Sequence, residues 1–104
     1  MTVTAQDLQN LKPNVQRATR MLKLLASEPR LMILCRLFEG EASVSDLADY
    51  LGQPIAGTSQ HLAKMRAEHL VSTRRDGQTI YYALGDPATQ KVIEALCEVY
   101  GPKA

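Results

Sequence analysis

Apolar residues return along this chain at spacings of three and four through most of its length. They alternate with polar ones in one short stretch, so the pattern is mainly helical with a single hairpin. Residues 1–12, polar around Leu8 and Leu11, read as a loose or short helical arm. Pro13 opens a helix in which Val15, Ala18, Leu22 and Leu25 share a face to about Ala26, with Arg17, Arg20 and Lys23 on its wet side. Ser27 is a good N-cap for the next helix, Pro29 falls in its first turn, and Gly40 sits where a C′ residue ends it. The stretch RLMILCRLF is apolar almost all round, as suits a helix at the centre of a core.

Ser43 caps a third helix, with Asp46 three residues on as a short capping box. Val44, Leu47, Ala48 and Leu51 form its buried stripe, Gly52 stops it, and Gln53-Pro54 makes the turn. The fourth helix starts near Ile55, with Ile55, Thr58, Leu62 and Met65 inward and Gly57, Gln60, His61 and Lys64 on the solvent stripe. Val71–Arg75 and Gln78–Leu84 follow as strands around Asp76-Gly77, a strong hairpin signal. A two-residue turn there pairs Thr73 with Ile80 and Val71 with Tyr82. These four residues then share one face, while Ser72, Arg74, Thr79 and Tyr81 share the other, and Arg75 and Gln78 sit at the tip. Asp86-Pro87 opens a last helix with Ile93, Leu96, Cys97 and Tyr100 on one stripe, and Gly101-Pro102 ends it.

This order predicts a mainly α, α+β domain over residues 1–104: about five helices plus a small two-stranded β-hairpin. Residues 43–69 form a helix-turn-helix and 71–84 a hairpin appended to it, which is the winged-helix arrangement. Its usual work is to place the second helix of the pair in the major groove of DNA. Small side chains at Ala56, Gly57 and Ser59 allow close approach, Gln60 and His61 are placed to read base edges, and Lys64, Arg66, Arg74, Arg75 and the tip residue Gln78 are placed near phosphates.

Composition changes this picture only in part. The net charge of +1 carries no basic signature, yet between Gln53 and Tyr82 the cations Lys64, Arg66, Arg74 and Arg75 stand against only Glu68 and Asp76. No apolar run approaches the roughly 20 residues of a membrane span, and the polar start MTVTAQDLQNLK lacks a signal-peptide pattern, which predicts a cytoplasmic protein with no membrane partner. Two cysteines in a reducing compartment are expected as free thiols. Without a nucleophile–base–orienter set, a phosphate loop or a metal-ligand spacing, the sequence does not read as an enzyme and calls for no cofactor. His61 and His69 are too far apart on one helix for a metal pair; His69 reads as helix-end packing.

The runs LLASEPRLMILCRLFEGEASVSDLADYLG and TSQHLAKMRAEHLVSTRRDGQTIYYAL resemble the ArsR/SmtB family of bacterial winged-helix repressors over most of residues 24–84. The resemblance implies a homodimer built on the first and last helices, here 13–26 and 87–100, that binds a palindromic operator. Val92, Ile93, Leu96 and Val99 with Leu22 and Leu25 supply apolar surface for that contact. Where family members carry metal-binding cysteines at the start of the third helix, this chain has EASVSDL, with Ser43 and Ser45 in their place, and a hydroxyl is a poor ligand for soft metals. The last helix, PATQKVIEALCEVY, has no His for the other family metal site, so no metal is expected.

What remains is similar to the persulfide- and sulfide-responsive BigR/SqrR-like branch, with Cys35 in RLMILC at its first thiol position. Cys97 stands one helical turn before the second position. The resemblance implies a repressor that leaves its operator when Cys35 and Cys97 are modified by reactive sulfur or other oxidants. The residues alone leave two other readings open. Both cysteines fall on apolar stripes and could be inert small hydrophobes in a repressor answering another signal. A winged helix can also serve only protein association. The turn departs from relatives, which often have Ser-Gln-Ser where this chain has Pro54-Ile55-Ala56, so a different operator or a lower affinity is expected.

Overall fold

The computed structural model describes residues 2–101. The arm forms α1 (Ala5–Leu11), closed by a capping box between Thr4 and Asp7 and continued by a 3-10 turn at Lys12–Asn14. Helix α2 (Val15–Leu25) therefore starts two residues after Pro13, which sits inside the 3-10 turn. Helix α3 (Glu28–Phe38) is capped by the Ser27 hydroxyl, which accepts from the Arg30 N–H. A short strand β1 (Ala42–Ser43) leads into α4 (Val44–Leu51), whose capping box joins Ser43 and Asp46 as expected. Gly52 takes the left-handed conformation that closes α4. Then come α5 (Ile55–Ala67), β2 (Val71–Asp76), β3 (Thr79–Leu84) and α6 (Pro87–Tyr100). Asp86 caps α6 through the Thr89 N–H, and Pro102 of the expected stop lies outside the described residues.

Two features of the sheet differ from the sequence reading. The wing is three-stranded, ordered β1-β3-β2, because Ala42 and Ser43 pair with Tyr82 and Tyr81. Two residues are too short for an alternating pattern to reveal. The hairpin register is also shifted by two: Thr73 pairs with Tyr82 and Val71 with Leu84, and Gly77-Gln78 form the turn. Gly77 has φ +63°, and Gly at the first turn position is what a type II′ connection requires. A shift of two preserves the face of every side chain.

The core gathers Leu25, Ile33, Leu34, Leu37, Leu47, Leu62, Met65, Leu70, Val71 and Ile93, with α3 central. Helix α3 is not covered all round, since Met32 and Phe38 are exposed. Val15 and Leu22 of α2, Ile55 of α5 and Tyr100 of α6, all expected on apolar stripes, are exposed as well. A periodic stripe marks where burial can occur, and a neighbouring element must still cover it.

Helix α5 ends in a tight lock. The Leu70 N–H donates to the Met65 carbonyl and the His69 N–H to the Arg66 carbonyl, a Schellman arrangement with His69 left-handed at φ +63°. Gly85 presses against this corner, donating its N–H to the Leu70 carbonyl at 2.8 Å. A Cβ at Gly85 would collide with the His69 carbonyl, so only glycine fits.

Candidate nucleic-acid interface and thiol pair

Helix α5 divides into buried and exposed residues largely as the spacing predicts. Thr58, Leu62 and Met65 are buried, and the Thr58 hydroxyl satisfies itself on the Pro54 carbonyl at 3.0 Å. Ala56, Gly57, Ser59, Gln60, Lys64 and Arg66 are all exposed. Ile55, placed inward by the spacing, is 52% exposed at the open first turn of the helix. The leading edge of α5 is therefore the apolar Pro54-Ile55-Ala56 run, with no side-chain cap at Pro54.

His61 is corrected from the solvent stripe to its border. At about 100° per residue it lies roughly 60° from Thr58, on the flank of the buried stripe. It is half-buried, and its Nδ1 lies 3.4 Å from Nη1 of Arg30. Burial first, then the nearby charges of Arg30 and Lys64, lower its pKa from the ordinary 6.5 and favour the neutral ring. Arg30 was not singled out from the sequence. Its signal is a cation just after the end of a preceding helix, where unpaired carbonyls attract one. Its Nε donates to the Leu24 carbonyl at 2.7 Å.

In the wing, Arg74 and Arg75 part company. Arg74 reaches over the ring of Tyr81, 4.8 Å from its centroid, and donates through Nε and Nη2 to the Glu41 carboxylate. Those hydrogen bonds hold the Glu41 carboxyl below its ordinary range. Arg74 thus braces β2 to the residue preceding β1, across the middle strand. Arg75 and Gln78 are exposed at the tip, and Arg75 makes no ion pair among the described residues. At the C-terminal end of α5, Arg20 of α2 pairs with Glu68 at 3.4 Å.

The cysteines are free and unequal. Cys35 on α3 is half-buried, whereas Cys97 on α6, expected on a buried stripe, is exposed. Helix α6 buries Ile93 one turn earlier, and among the described residues nothing covers the stripe at Cys97. Burial raises the Cys35 pKa, and the charge of Cys97 raises it further. The Ser43 hydroxyl, at the position of a family metal ligand, is occupied by the Asp46 N–H. No group of three or more metal-ligating side chains is present among the described residues, and no helix there is long and apolar enough to cross a membrane.

Residues 27–73 match the model of the bacterial regulatory protein, arsR family. The chain is 39% identical over 94 residues to the transcriptional activator HlyU of Vibrio cholerae, covering 90% of this chain and 87% of that one. The HlyU structure superposes with a TM-score of 0.84 over 88% of this chain and 99% of its own. The structure of the transcriptional repressor BigR from Xylella fastidiosa, 31% identical, gives 0.81 over 97% of this chain and 100% of its own. A homodimeric winged helix-turn-helix domain from Mycobacterium bovis, 26% identical, gives 0.78 over 97% of this chain and 91% of that one. The chain belongs to the arsR family of bacterial regulatory proteins, as a winged helix-turn-helix transcriptional regulator.

Proposed function

We propose that this regulator is a cytoplasmic homodimeric repressor that reads a palindromic operator with α5 and releases it when Cys35 and Cys97 are joined. Small residues at Ala56, Gly57 and Ser59 let the helix enter the major groove. Gln60, with two donors and an acceptor, suits adenine. Lys64, Arg66, Arg75 and Gln78 set register on phosphates. Dimerisation is supported by the surface of the single chain. It exposes 7455 Å², against about 5,800 Å² for a compact monomer of this mass. Exposed Leu8, Leu11, Val15, Leu22, Val99 and Tyr100 supply apolar area for a partner copy.

The observation that carries the switch is one exposed thiol, Cys97, and one half-buried thiol, Cys35, on two helices, α6 and α3, that pack against each other. Cys97, the accessible member, attacks the outer sulfur of a persulfide donor and takes it, and the donor leaves as a thiolate. Cys35 then attacks the inner sulfur of that persulfide, a disulfide forms, and hydrosulfide leaves carrying the transferred sulfur. The bridge would tie α3 to α6. For α6 to act as a dimer helix in this switch, the bridged state must disfavour the half-site spacing, because only a differential effect releases DNA.

The test is operator binding by the wild type, Cys35→Ser and Cys97→Ser, reduced and after a persulfide donor. Loss of binding only in the treated wild type supports the switch. Unchanged wild-type binding after treatment removes it and leaves a repressor with inert cysteines, the reading that the burial of Cys35 favours.

A further inference from the structure

Arg30 belongs to the first turn of α3, yet its side chain serves two other helices. Its Nε donates at 2.7 Å to the Leu24 carbonyl, one of the last-turn carbonyls of α2 that a helix leaves unpaired. Its Nη1 faces Nδ1 of His61 at 3.4 Å. A guanidinium has only donors and keeps its proton, so the imidazole nitrogen must accept. That condition fixes the chemistry of the ring: Nδ1 bare, the proton on Nε2, the imidazole neutral. Burial and the cations Arg30 and Lys64 favour the same neutral form. Nε2–H is then the polar atom left over. The ring stands on α5 beside exposed Gln60 and Lys64, at the edge of the reading face.

We propose that Arg30 is a positioning residue for the DNA-reading helix. It locks His61 as the Nε2–H tautomer, so that His61 meets DNA as a hydrogen-bond donor, and it fastens α5 to the carbonyl end of α2. The inference rests on α5 being the reader. The matching acceptor is an oxygen or bare nitrogen, supplied by guanine N7 or O6 in the groove or by a phosphate. An Nδ1–H tautomer would turn a donor against the Arg30 donors, and a charged ring would add repulsion.

The ring nitrogens of His61 report the lock directly by nitrogen-15 NMR on the full reduced protein without DNA. The wild type should show a protonated Nε2 and a bare Nδ1, and Arg30→Met should give mixed tautomers. Operator affinity is then measured on the tightest duplex selected from a random pool. Arg30→Met and His61→Phe should each lose roughly tenfold, and the double variant no more than either alone, because both act through one contact. Guanines replaced by 7-deazaguanine abolish the His61→Phe penalty if a base N7 is the acceptor; neutral methylphosphonates do so if it is a phosphate.

An Nδ1–H wild type, an unchanged tautomer in Arg30→Met, or additive losses overturn the proposal. If Arg30→Met does not fold, the wild-type tautomer and the His61→Phe loss decide. A wild type with the expected tautomer that binds no duplex would instead sink the reading role of α5 and leave the lock itself standing.

Discussion

Cys35 and Cys97 are both flanked by apolar residues at helical spacing, and the sequence treats them alike. Their environments differ because α3 lies inside the core while the outer face of α6 is uncovered within one chain. Thiolate is the reactive form, and burial and the neighbouring charge raise the Cys35 pKa. Cys97 is therefore expected to be alkylated first by limiting iodoacetamide at mildly alkaline pH, with Cys35 following only as pH rises further. Peptide mapping by mass spectrometry checks the order, and faster labelling of Cys35 would contradict it. Gly85 is a second single-residue determinant. Its Cβ-free backbone admits the His69 carbonyl, and Gly85→Ala is expected to destabilise the protein by about 3 kcal/mol through steric overlap. A thermal melt lowered by less than about 4 °C would show that the corner relaxes at little cost.

At the scale of elements, the wing gives the clearest division of labour. Arg74 and Arg75 are neighbours in sequence with identical chemistry, but alternation turns them to opposite faces of β2. Arg74 meets Tyr81 and Glu41, whereas Arg75 meets solvent. Solvent screening keeps the Arg74–Glu41 pair weak in energy, so its consequence is geometric: it holds β2 and the start of β1 together over β3. Arg75→Ala should lower the slope of log affinity against log salt by about one, the loss of a single phosphate contact. Arg74→Ala should leave the slope unchanged. Equal slope changes in the two variants would show that Arg74 leaves Glu41 to bind DNA. The sequence showed which strand faces are shared, because a two-residue register error preserves parity. It hid the register itself and β1, which depend on where the turn glycine falls and on a two-residue pairing.

For the whole molecule, the chain is more extended than a compact domain of its length. Its radius of gyration is 15.0 Å, against about 13 Å for a compact chain of this length. Apolar side chains at Leu22 and Val99 stay in water. Light scattering is expected to give about twice the 11.5 kDa chain mass at micromolar concentration. Leu22→Glu with Val99→Glu should shift this toward the single-chain mass and weaken operator binding, since a palindrome rewards two linked readers. A dimer that survives both changes would place the interface elsewhere.

Helix caps and stops were legible from the chain alone because their causes are local: Ser27, Ser43, Asp86 and Gly52 act on backbone groups within a few residues. The helix-turn-helix, the appended hairpin and the buried set Thr58, Leu62 and Met65 follow from those signals. Tertiary structure decided what lies opposite each stripe. It exposed Ile55 and Cys97, turned His61 onto Arg30, joined Arg74 to Glu41 and packed α6 against α3. Each of those outcomes joins residues distant in sequence, such as Arg30 with His61. Periodicity can say only that a side chain lies on a face; what meets that face is settled when the elements pack.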